Sequence, residues 1–83
     1  MATGPIIVVN NSTGSVHAFV SIYNTPNGNG SWQLIPSGVA YSWSRNDWEV
    51  VAFKNADDTK RAGVYVQVDT TVIYNSLSNL IVA

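Results

Sequence analysis

Glycine, proline, asparagine and aspartate interrupt this chain so often that no stretch between them is long enough, or periodic enough, to make a helix. The intervening pieces are rich in Val, Ile, Tyr, Phe, Trp and Thr, the residues that suit a pleated, half-buried surface. Read this way, strands run over 5–10, 15–23, 32–35, 39–44, 48–54, 61–68, 71–74 and 77–82. The clearest alternation sets Val64, Val66 and Val68 against Tyr65 and Gln67, and its Val face is expected to be core. The strand over 48–54 sets Trp48, Val50 and Ala52 against Glu49, Val51 and Phe53, and the one over 15–23 likewise carries apolar residues on both faces. Residues 24–30 contain Asn-Gly twice and are expected to form an exposed loop. Pro36-Ser37-Gly38 is a turn in which Pro presets the first central torsion. Seven to eight short strands at this spacing define an all-β fold, a small antiparallel β-sandwich or barrel, in one domain over 1–83.

A chain of 83 residues buries only a little over ~60% of its extended surface, and small domains usually add disulfides, a metal or a partner subunit. Cysteine is absent and His17 is the one histidine, so neither a disulfide nor a His/Cys metal cage can form. A homodimer or larger homo-oligomer is the remaining device. Four Lys and Arg against five Asp and Glu give a net charge of -1, too little positive field for a nucleic-acid partner. The apolar run from Ile6 to Val9 is far too short for a signal-peptide core or a membrane span, so the expectation is a soluble chain, cytoplasmic or released without a signal peptide. The sequons at Asn10, Asn11 and Asn29 read as products of an Asn-, Ser- and Thr-rich composition. That abundance of uncharged hydrogen-bonding side chains suits neutral polar ligands.

Enzymatic chemistry finds little to work with. His17 has no nucleophile or carboxylate near it in sequence. Asp47 and Glu49 stand two apart, a spacing of roughly 7 Å if both lie on one strand face, but Asp47 is expected in the bend Arg45-Asn46-Asp47, which argues against a glycosidase pair. Asp57-Asp58 offers too few oxygens for calcium, so no metal or cofactor is expected. The stretch from Tyr41 to Glu49 differs from the rest, with two Trp, a Tyr, an Arg, an Asn and two carboxylates. An indole gives flat apolar area for the C–H face of a pyranose, and Asn, Asp and Arg offer acceptor and donor pairs matched to vicinal hydroxyls. Trp43, Arg45, Asn46, Asp47, Trp48 and Glu49 are therefore the candidate carbohydrate site, with the loop from Gly28 to Trp32 as a secondary candidate. The bland alternative is that Trp43 and Trp48 are core and Arg45 pairs with Asp47 or Glu49 at the surface; three Trp in so thin a domain argue against all of them being core.

The order of short motifs Val8-Val9-Asn10-Asn11-Ser12, Val16-His17-Ala18-Phe19-Val20-Ser21, Ser31-Trp32, Ile35-Pro36-Ser37-Gly38, Trp43-Ser44-Arg45, Trp48-Glu49-Val50-Val51-Ala52-Phe53-Lys54, Arg61-Ala62-Gly63-Val64-Tyr65-Val66 and Asn75-Ser76-Leu77 resembles a group of small, cysteine-free, leaderless fruiting-body lectins of mushroom-forming fungi that bind α-galactosyl groups. The resemblance implies a β-sandwich homodimer that binds terminal galactose-type sugars without metal and without catalysis. Pro36-Ser37-Gly38 departs from the direct Pro-Gly of that pattern. A second expectation, from another class, is a structural or membrane-active defence protein whose Tyr and Trp mediate assembly or interfacial insertion. Reversal of agglutination by a monosaccharide, as against lysis, separates the two.

Overall fold

In a computed structural model, which describes residues 4–26, 28–55 and 59–83, the chain folds as eight strands. They are β1 (Gly4–Asn10), β2 (Val16–Val20), β3 (Gln33–Ile35), β4 (Ala40–Arg45), β5 (Glu49–Lys54), β6 (Arg61–Val66), β7 (Thr70–Ser76) and β8 (Asn79–Val82). Two four-stranded sheets result, in the orders β4-β1-β7-β8 and β3-β2-β5-β6. The molecule is thus a sandwich, and its pairings are antiparallel except for β1 with β7, which run parallel. Parallel partners need a long crossover, and here the whole second sheet, together with β4, is inserted between β1 and β7 in sequence.

Alternation decides which side chains are inside. Ile6 and Val8 of β1, Val16, Ala18 and Val20 of β2, Val51 and Phe53 of β5, and Val66, Val68 and Val72 fill the space between the sheets. Phe53 packs across to the Tyr74 ring, with centroids 4.9 Å apart. The expected Val face of β6 is core, although the strand itself ends at Val66.

At the end of β2, polar groups account for the difference from the expected strand end. β2 stops at Val20, three residues early, because Ile22 O turns to accept the amide of Thr25 and Ser21 O is taken by the Arg45 side chain. Ile22 thereby leaves the core face and is exposed. Trp32 falls outside β3, and β8 starts at Asn79 after a turn through Leu77 and Ser78. The turn at residues 36–39 closes with Val39 N donating to Pro36 O, which makes Ser37 and Gly38 the central pair and corrects the expected placement of Pro36. Gly38 has φ 77°, the left-handed torsion that this turn position demands and that glycine adopts without steric cost.

Candidate functional site

The two sheets leave an opening between their edge strands β4 and β3, and the connection over residues 21–32 lies across it. Beneath that connection is a cleft of about 590 Å3. Tyr41, Ser42, Trp43, Ser44, Arg45 and Asn46 supply one wall, Gln33 stands opposite, and Thr25, Pro26, Gly28 and Asn29 form the roof.

Arg45 and Glu49 hold the roof in place. Both are buried, Arg45 at 2% and Glu49 at 0% exposure. Arg45 donates from Nε to Ser21 O (2.9 Å), from Nη1 to Ser44 O (2.9 Å), and from Nη2 to both Val20 O (2.8 Å) and Asn29 O. Burial pulls the guanidinium below its ordinary pKa, and the Glu49 carboxylate acts in the opposite direction. Glu49 Oε1 accepts from Ser21 Oγ (2.7 Å), while Oε2 accepts from the Asn24 amide (2.7 Å) and Thr25 Oγ1 (3.1 Å). Ser21 thus joins the two charged residues, its carbonyl to one and its hydroxyl to the other. Asn46 completes the frame, its amide donating to Thr25 Oγ1 and its Nδ2 to Asn24 O. Charged partners strengthen such bonds, and no buried side-chain N or O atom among the described residues lacks a partner.

The six residues singled out from the sequence therefore occupy three environments. Trp43, Arg45 and Asn46 line the cleft. Glu49 lies behind it as an anchor for the roof, and Asp47 stands half-buried in the bend between β4 and β5. Trp48 points to the outer face of the β3-β2-β5-β6 sheet, where it is 41% exposed and stacks on Tyr65 with centroids 5.2 Å apart. The reason is strand parity: Trp48 and Glu49 are adjacent, so one must face out when the other faces in. Trp43 is at the core margin at 8% exposure, with the more open Tyr41 ring 6.3 Å away.

Thr25, Gln33, Tyr41, Ser42 and Ser44 also line the cleft but were not among the candidates. Tyr41 had a signal, since it opens the aromatic–polar stretch. Gln33 had none, because its position depends on β3 and β4 being edges of different sheets. Within the secondary candidate loop, Gly28 and Asn29 reach the cleft, whereas Trp32 lies against Phe19 on the outer face.

Among the described residues no group of three or more His, Asp or Glu is placed to hold a metal ion. Asp57 and Asp58 lie outside the described residues. No helix among the described residues is long and apolar enough to cross a membrane. Comparisons with protein-family models, with curated proteins and with solved structures gave no match.

Proposed function

We propose that this chain is a carbohydrate-binding protein, a lectin without catalytic activity, and that the cleft between β4, β3 and the 21–32 connection is its saccharide site. The observation that carries the reading is the chemistry of the lining. Tyr41 offers exposed aromatic surface with the mostly buried Trp43 behind it, and Thr25, Asn29, Gln33, Ser42, Ser44 and Asn46 are uncharged donors and acceptors. The one charged group at the wall, Arg45, is already committed to main-chain carbonyls. Such a cleft favours a neutral ligand whose hydroxyls exchange water for amides and alcohols. Terminal galactose-type sugars are the expected class, in keeping with the resemblance to fungal fruiting-body lectins, and the working form is a homodimer acting without metal.

Erythrocyte agglutination reversed by a free galactoside tests the reading, and lysis in its place would favour a membrane-active protein. Tyr41, at 37% exposure, can be removed without opening the core. Tyr41→Ala should remain folded and bind the saccharide about tenfold more weakly, a loss of ~1.4 kcal/mol.

A further inference from the structure

Two Asn-Gly pairs fall in the 21–32 connection, at positions 27–28 and 29–30. Glycine leaves the amide that follows an asparagine open to approach, so such a pair can cyclise on the asparagine's own side chain. The second pair has the surroundings that this reaction needs. Asn29 and Gly30 are both exposed to water. Asn29 Oδ1 accepts from the Ser31 amide (3.0 Å) and from Ser31 Oγ (2.6 Å), which draws electron density from Cγ and sets two donors where negative charge develops. Among the described residues neither the Gly30 amide nor Asn29 Nδ2 makes a hydrogen bond, so nucleophile and leaving group are both unengaged. Asn10 supplies the contrast within the same fold. Its Oδ1 accepts from Ser12 N (3.0 Å) and Ser12 Oγ (2.6 Å) in the same arrangement. Yet Asn10 is fully buried, its Nδ2 donates to two carbonyls, and the Asn11 amide donates to Tyr74 O at 2.8 Å. At the first Asn-Gly pair the Gly28 amide is likewise occupied, donating to Thr25 O at 2.9 Å.

We propose that Asn29 is a site of spontaneous deamidation that changes the charge of the cleft. Loss of the Gly30 amide proton to hydroxide lets that nitrogen attack Asn29 Cγ. The N–Cγ bond forms and the carbonyl electron pair moves to Oδ1, where the two Ser31 donors stabilise it. Collapse then expels Nδ2, which leaves as ammonia after taking a proton from water. A water molecule opens the cyclic imide. Cleavage of the new N–Cγ bond leaves aspartate at position 29, whereas cleavage of the original peptide bond leaves isoaspartate, with the chain routed through Cγ. Either way a neutral amide is replaced by a carboxylate. Asn29 lines the cleft, and its main-chain carbonyl accepts from Arg45 Nη2. In the isoaspartyl form that carbonyl carbon becomes the free carboxylate, so its neutral contact with the buried guanidinium turns into an ion pair. The change sets a negative charge on the roof of a cleft whose lining otherwise has Arg45 as its one charged residue. The inference concerns the chemistry of the chain itself and does not rest on the saccharide reading.

Peptide mapping of the folded chain, incubated in mildly alkaline buffer made with heavy-oxygen water, tests it. A solvent oxygen is expected to enter at residue 29, as a mixture of aspartate and isoaspartate, and conversion at Asn29 should outrun that at Asn27. In urea, which releases both glycine amides, the two sites should convert at comparable rates. Gly30→Ala should slow conversion at Asn29 at least about tenfold, because its methyl group narrows the approach to the amide. That methyl would meet nothing nearer than Ile22 at 3.7 Å, so the melt should stay unchanged. Ser31→Ala should slow conversion about two- to tenfold by removing one of the Oδ1 donors. An Asn29 that stays intact in the folded chain while it converts in urea would overturn the inference. So would conversion led by Asn27 in the folded chain, or an undiminished rate in Ser31→Ala with an unchanged melt.

Discussion

Asn10 shows how much one side chain can organise. It ends β1 fully buried, donates to Gly14 O and Ile35 O at 2.8 Å each, and accepts from the amide and hydroxyl of Ser12. A single amide thus closes the first turn and ties β1 to β3 in the opposite sheet. Asn10→Ala would remove the side-chain donor to the buried Ile35 carbonyl and free the turn, so chemical denaturation should register a loss of about 1–3 kcal/mol. In the sequence the same residue reads only as a turn former and a sequon, because nothing local tells a buried amide from an exposed one. Tyr74 carries a pH dependence of definite sign. Burial raises its phenol pKa, so the unfolded chain ionises first as pH climbs past ~10, and the native state loses stability above that value. Tyr74→Phe should flatten the decline above about pH 10 in a thermal-melt series, whereas an unchanged slope would place its origin elsewhere.

At the scale of elements, the 21–32 connection is the piece on which the site depends. Arg45 holds it at Ser21 and Asn29, Glu49 holds it at Asn24 and Thr25, and Trp32 fastens its end across the outer face of the second sheet. Trp32→Ala should leave the sandwich folded but release this end of the roof, which hydrogen exchange would record as faster exchange at Asn24, Thr25 and Gly28, with weaker saccharide binding. The strands themselves were legible because alternation of apolar residues is a local property, as in Val64, Val66 and Val68. Parity also made the opposed placement of Trp48 and Glu49 readable in principle. The parallel pairing of β1 with β7 was not, since it joins residues more than sixty apart, and neither was the cleft, which exists only because β3 and β4 end up as facing edges. That Arg45 could pair with Glu49 was legible, but only as a surface contact and with Asp47 as an equal alternative, whereas both residues are buried. Their attachment to the carbonyls and amides of another segment was not.

For the whole molecule, the proposed working surface is the neutral polar cleft at one edge of the sandwich. With no cluster of metal-binding side chains among the described residues, saccharide affinity should also be the same in chelator as in calcium. The most direct measurement of the central claim is a residue-resolved amide NMR titration with methyl α-galactoside. The account predicts shifts concentrated at Thr25, Gly28, Asn29 and Gln33 and from Tyr41 to Asn46, with Val50, Ala52 and Tyr65 unmoved. Absence of shifts at saturating sugar, or shifts centred on Trp48 and Tyr65, would contradict it.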